Sequence, residues 1–328
     1  MEPLLTIKKL SVEYDTRRGP VEAVQDVTLD VQRGEIIGLV GESGSGKSTL
    51  GRALLRMIPS PGRISSGEIQ FDGTDLMGLT EDQMRAWRGT RIGMVFQDPM
   101  TSLVPVEKVI TQIRHTVHTH DPGLSRAEID SKARALAQRL GIRPERLEGY
   151  PHQLSGGMRQ RVMIAIALIL DAEFVIADEP TTALDVIVEA QFLDLLRELR
   201  DELGIAILLI THNIGVVAQV ADRVAVMYAG RIVEVGDVKE VFAFPRHPYT
   251  QGLLKSVPNI ELDGAELYRM EGNPPNLSSR PTGCPFHPRC PQAMDIYIME
   301  TPPLGPVGDS QVACWLYPTV VSGKKADA

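Results

Sequence analysis

The sequence predicts an α/β fold, a mostly parallel sheet covered on both faces by helices. Three observations carry that expectation. Short apolar runs of the buried-strand type, EIIGLV at 35–40, EFVIADEP at 173–180 and GIAILLITHN at 204–213, alternate with helical patterns. VIVEAQFLDLLRELRDEL at 186–203 is strongly amphipathic at helical spacing. The glycine-rich stretch GESGSGKST at 41–49 follows one strand and opens a helix. Strands alternating with helices in this way build a parallel core sheet.

Taken in order, LTIKKLSVEY and VEAVQDVTLDV show period-two character and predict two strands, followed by EIIGLV. STLGRALLRMI predicts the helix opened by the glycine loop. SGEIQFDGTDL at 66–76 and RIGMVFQDP at 91–99 predict further strands, the second stopped by Pro99. Residues 106–170 turn helical, with breaks at DPG (121–123), Pro144 and Pro151. FAFPRHPYTQGLL predicts a turn and a short helix, and 258–328 is rich in proline and glycine. No internal repeat is visible.

Composition narrows the function classes. The chain has 328 residues, 43% hydrophobic and 23% charged, which suggests two domains or one large domain with an appendage. A net charge of −8 argues against nucleic acid as the main partner. MEPLLTIKKLSVEY alternates like a strand and lacks the basic start and apolar run of a secretory leader. The longest apolar run, VMIAIALIL at 162–170, is far short of the ~20 residues of a membrane span. A protein soluble by itself is expected. Three cysteines, all between 284 and 314, do not make a secreted disulfide scaffold.

GESGSGKS at 41–48 matches the P-loop pattern in its required strand–loop–helix context. The loop Gly41, Glu42, Ser43, Gly44, Ser45 and Gly46, with Thr49, would wrap a nucleotide's phosphates with backbone N–H groups. Lys47 would reach the β- and γ-phosphates, and the Ser48 hydroxyl would hold Mg²⁺. Asp178, at the carboxyl end of a buried strand, would hold Mg²⁺ through water. Glu179 would be the general base for the attacking water. Gln97 and His212, each ending a strand, would reach the metal or water and the γ-phosphate respectively.

A second cradle-like stretch, LSGGMRQ at 154–160, completes an ordered set with GESGSGKST, Gln97, VIADE, ALD (183–185) and His212. The set resembles the nucleotide-binding subunits of ABC transporters over about 1–255. The resemblance implies a P-loop NTPase ABC cassette over 1–257, with a mostly parallel core sheet, an antiparallel β subdomain and a helical insert at about 98–172. It implies head-to-tail pairing of two cassettes, in which Ser155, Gly156 and Gly157 close on the γ-phosphate of the partner's ATP. Asp185 would sit across the seam. Tyr14 resembles the aromatic that stacks on adenine, and could equally be a packing residue at a strand edge. No residue of the set is degenerate, so a hydrolysis-competent ATPase is expected.

RHPYTQGLL at 246–254, followed by GNPPNLSSRPTGCPFHPRCPQAMD, resembles the C-terminal extension of the oligopeptide/dipeptide (and nickel) importer ATPases, over 258–328. The implied role is to power import of di- or oligopeptides, with nickel or another small solute as the alternative cargo. The implied partners are two transmembrane permease subunits, a second and similar ATPase subunit or a copy of this chain, and, indirectly, an extracytoplasmic solute-binding protein. The implied location is peripheral, on the cytoplasmic face of the cell membrane. A soluble ABC ATPase of translation or DNA repair is the rival, but that class carries two cassettes per chain or a coiled-coil insertion. Val104 stands where the importer family commonly has asparagine.

Cys284, Cys290 and Cys314 resemble the four-cysteine extension of that family, which is similar to an iron–sulfur site, but Tyr297 stands at an expected cysteine. A cluster with a foreign fourth ligand, zinc with His287, and three reduced packing thiols are the alternatives, and the last is favoured. His115 and His118 in HTVHTH are expected on a solvated helix end.

Overall fold

A computed structural model of the chain describes residues 2–182, 184–256 and 270–317. The expected boundary at 257/258 and the tail beyond 317 lie outside them, as does Ala183 of the ALD stretch. The first elements are β1 (Leu5–Thr16), β2 (Gly19–Val31), β3 (Ile36–Val40), α1 (Lys47–Leu54), β4 (Gly62–Phe71), β5 (Thr74–Asp75), α2 (Glu81–Trp87), β6 (Ile92–Val95) and α3 (Pro99–Ser102). Then come α4 (Val109–His120), α5 (Arg126–Arg139), α6 (Gly156–Leu168), β7 (Phe174–Asp178), α7 (Val186–Leu203) and β8 (Ala206–Thr211). The last are α8 (Ile214–Val220), β9 (Arg223–Tyr228), β10 (Arg231–Asp237), α9 (Val238–Ala243), α10 (Pro248–Lys255), α11 (Ile296–Met299), β11 (Gly305–Val307) and β12 (Ser310–Val312). They fall into two compact units. One comprises Met1–Gln32, Ile37–Met77 and Thr211–Ala328 in their described parts, and the other Arg33–Ile36 and Gly78–Ile210.

In the first unit, the period-two pattern of LTIKKLSVEY buries Leu5 and Ile7 and, past an irregularity at Lys9 (φ 47°) that shifts the register, Leu10 and Val12. β1 pairs antiparallel with both β2 and β4, in the sheet order β2-β1-β4-β5. This is the expected antiparallel subdomain. A second sheet runs β3-β9-β10-β12-β11, with β3 parallel to β9 and the remaining neighbours antiparallel. Its apolar core joins Val224, Val226, Tyr228 and Tyr249 to Phe286, Tyr297 and Trp315 of the proline-rich extension.

The hairpin of β9 and β10 is absent from the sequence expectations. Its two-residue loop is Ala229-Gly230, both at positive φ (47° and 84°), the twist such hairpins require. Alanine hides a signal that asparagine or aspartate would have given. α1 is also shorter than expected, because Arg56 turns left-handed at φ 51° and ends the run.

In the second unit β6, β7 and β8 pair in parallel, Ile92 against Phe174 and Phe174 against Ala206. Two helix starts have a clear local cause. Ser125 and Glu128 form a reciprocal capping box on α5, and Thr80 and Gln83 do the same on α2. α7 begins and ends where its amphipathic pattern does, stopped by Gly204 at φ 67°. Arg114 grips Asp130 with two hydrogen bonds of 2.6 Å, tying α4 to α5. That guanidinium holds the Asp130 carboxyl below its usual range. No helix among the described residues is long and apolar enough to cross a membrane.

Candidate functional site

The glycine loop lies in the first unit. Gly46 precedes α1 at φ 103°, and a Cβ there would stand 2.3 Å from the Ala23 carbonyl oxygen. Only glycine fits, so the backbone curls with its N–H groups at the helix N-terminus. Lys47 is buried, and its ammonium donates to the carbonyls of Gly41 (2.8 Å) and Glu42 (3.0 Å). The Ser45 hydroxyl is buried with no hydrogen-bond partner among the described residues. A buried ammonium, an orphaned hydroxyl and a helix N-terminus make a donor set that fits nucleotide phosphates. Ser48 and Thr49 are half-buried on the first turn of α1, whereas Ser43 and Gly44 are exposed.

Two other expected residues belong to this unit. Tyr14 sits half-buried on β1, its ring over Gly62, where a Cβ would meet it at 2.5 Å. His212 directly follows β8 and is exposed.

The acidic half lies in the second unit. Asp178 is buried, 1% exposed, at the carboxyl end of β7. Glu179 leaves the strand left-handed at φ 46°, a conformation that costs a non-glycine residue strain and is common at functional sites. Its carboxylate accepts hydrogen bonds from the Gln97 amide (3.2 Å) and the Thr182 hydroxyl (3.0 Å). The structure thus brings Gln97 and Glu179 together, and adds Thr182, which the sequence reading missed.

Ser155 caps α6, accepting from the Met158 N–H at 3.3 Å. Ser155 and Gly156 are exposed, so the start of α6 offers free-standing donors to solvent. Gly157 is required for packing, since a Cβ there would stand 2.5 Å from a Val188 methyl on α7. Asp185 has a local task as well. Its Oδ1 accepts from the Val188 N–H at 2.9 Å and caps α7.

The RHPYTQGLL stretch holds the largest set of residues whose role the sequence did not show. Pro248 sits at the start of α10 and His247 caps it, its Nδ1 accepting from the Tyr249 N–H at 3.0 Å. Burial keeps that imidazole neutral, pushing its pKa down to about 3. The Arg246 and His247 N–H groups both donate to the buried carboxylate of Glu234, at 2.8 and 2.9 Å. Burial raises the pKa of that carboxyl. The anchored helix then presents the Tyr249 hydroxyl to the backbone N–H of Glu42, 2.9 Å away. Pro248 was the available signal for a helix start; nothing local revealed where Tyr249 points.

In the extension Cys284 and Cys314 are buried, and Cys290 partly so. Burial raises the pKa of all three thiols, that of Cys314 to about 12. Tyr297 lies within electrostatic reach of all three, is itself raised to about 12, first by burial, and its hydroxyl is buried without a partner among the described residues. Among the described residues no group of three or more His, Cys, Asp or Glu is arranged to hold a single metal ion. His115 lies on α4, exposed as expected, and Glu107 comes within 3.6 Å of its Nδ1.

The ABC transporter family profile matches residues 24–182, and that of the oligopeptide/dipeptide transporter C-terminal region matches 233–296. The dipeptide transport ATP-binding protein DppD of Bacillus subtilis is 45% identical over 320 residues, 96% of this chain and 95% of that protein. The oligopeptide transport ATP-binding protein OppD of Salmonella typhimurium is 48% identical over 303 residues, 92% and 90% of the two chains. Among solved structures, the ADP- and phosphate-bound dimer of the cassette MJ0796 superposes with a TM-score of 0.64 at 26% identity, over 71% of this chain and 98% of that one. CbiO1 of Clostridium perfringens gives 0.64 at 31% identity, over 74% and 92%. The phosphate-fitting loop, the acids ending β7 and these likenesses lead to one conclusion: the chain belongs to the ABC transporter ATP-binding proteins, in the oligopeptide/dipeptide transporter family.

Proposed function

We propose that this chain hydrolyses ATP to drive peptide import through a membrane ABC transporter, with Glu179 as the general base. The observation that carries the proposal is Glu179 itself, strained in the left-handed region beside buried Asp178 and held by Gln97 and Thr182. In this reading the N–H groups from Gly41 to Thr49 hold the phosphates. Lys47 leaves its own loop's carbonyls for them. Bound Mg²⁺ would supply charge neutralisation on the phosphates, and Ser48, Gln97 and Asp178 would hold it. Glu179 takes the proton of the attacking water, His212 orients the γ-phosphate, and Tyr14 supports the adenine. Ser155, Gly156, Gly157 and Asp185 serve the nucleotide of a partner cassette.

The relatives named as dipeptide and oligopeptide transport proteins support a peptide cargo. The same likeness supports two permease subunits and a second ATPase subunit as partners, and a peripheral place on the cytoplasmic face of the membrane. We place the cassette at 1–257 and the importer-type extension at 258–328. The extension offers three thiols and a phenol where a four-iron cluster takes four thiolates, so its donor set does not fit one, and no step above uses it. We read the cysteines as reduced packing residues. Anaerobically purified protein carrying stoichiometric iron and acid-labile sulfide would overturn that reading.

The first test is Glu179→Gln. ATP binding should persist while turnover falls by ~10²–10⁴, the range for losing a general base. Wild-type turnover in that variant would refute the assignment.

A further inference from the structure

The second residue of the P-loop is held by a residue of the C-terminal extension. Arg289 Nη1 donates to Glu42 Oε2 at 2.8 Å and Nη2 donates to Oε1 at 3.0 Å, a two-pronged pair. The arginine side chain is 4% exposed and the glutamate 25%. Arg289 Nη1 also donates to the Tyr228 hydroxyl at 3.2 Å, and Nε to the Glu271 carbonyl at 3.0 Å. Its guanidinium lies over the rings of Tyr228 and Phe286, 5.8 and 5.9 Å from their centroids. Burial works to lower its pKa, but the bonds to Glu42 and Tyr228 outweigh burial and keep the charge in place.

Glu42 is therefore gripped at every polar group. Its carboxylate is held by Arg289, its N–H by Tyr249, and its carbonyl by Lys47 and the Ser45 N–H, at 3.0 and 3.2 Å. A loop that must receive a triphosphate carries a carboxylate in its first arm, and a bare carboxylate there would repel phosphate and compete for Lys47. The geometry points to Arg289 as a positioning residue for the nucleotide: it neutralises Glu42 and fixes the arm of the loop, so that the cassette's ATP affinity depends on the extension. This rests on the reading that the P-loop holds ATP phosphates.

The test is equilibrium binding of a fluorescent ATP analogue with Mg²⁺ to the full-length chain. Arg289→Met should weaken binding at least about 5-fold, the lower end of coupling between linked sites. In a Glu42→Gln background, adding Arg289→Met should cost much less affinity than it does beside the native carboxylate, because the repulsive charge is gone. An equal loss in both backgrounds would mean a general structural defect and would overturn the proposal. So would unchanged affinity in Arg289→Met, provided that Lys47→Ala abolishes binding. If Lys47→Ala binds as the wild type does, the P-loop reading itself fails. Should Arg289→Met not fold, Arg289→Lys keeps the charge without the fork. Its affinity should fall between those extremes, and a wild-type value would overturn the positioning role.

Discussion

His247 is buried, neutral and occupied as the cap of α10. Its pKa of about 3, against an ordinary 6.5, has a consequence of definite sign. The unfolded chain takes up a proton that the native ring refuses, so stability is full above about 6.5 and is lost as pH falls towards 3. Glu234, raised by burial, works in the opposite direction on acidification. His247→Asn keeps an acceptor for the Tyr249 N–H without the titration. Its melting temperature should therefore fall less than the wild type's between neutral and mildly acid pH, and parallel curves would refute this. Asp178, Glu179 and Gln97 were legible because strand ends gather ligands in α/β sheets. Thr182, Tyr249 and Arg289 were not, because each acts through a contact that no local pattern encodes.

At the scale of elements, Asp185 has a task that the sequence did not show. It was expected at a seam between cassettes, and in the chain itself it caps α7. Asp185→Ala should cost about 1 kcal/mol of stability through the lost cap, whereas Asp185→Asn keeps the cap and only removes the charge. Denaturation midpoints report the first effect and ATPase activity the second. If Asp185→Asn keeps full activity, the charge has no part across a seam. The amphipathic α7 could be read from end to end because its period, its cap and its terminal glycine agree. β9 and β10 escaped because a positive-φ alanine closes their turn, and β11 and β12 because three-residue strands carry no period.

At the scale of the whole molecule, the extension is built into the first unit. β12 pairs with β10, and Phe286, Tyr297 and Trp315 complete the core around Tyr228 and Tyr249. Phe286→Ala should cost about 3–5 kcal/mol, as other buried aromatic truncations do. A chain ending at residue 256 should expose this face and the edge of β10, bind hydrophobic dyes and aggregate. A soluble, dye-free truncation with an unchanged melting temperature would show that the extension is a mere appendage. Composition announced a distinct tail, but not that its aromatic residues share a core with β9.

The pair of Arg289 and Glu42 also sets an order of events in time. Its members are 247 positions apart. At translation rates of ~5–20 residues per second, about 12–50 s pass between the synthesis of one and of the other. Throughout that interval the nascent loop carries an unneutralised carboxylate, and the grip on its first arm is incomplete. The nucleotide cradle is among the first parts of the chain to leave the ribosome and among the last to be finished.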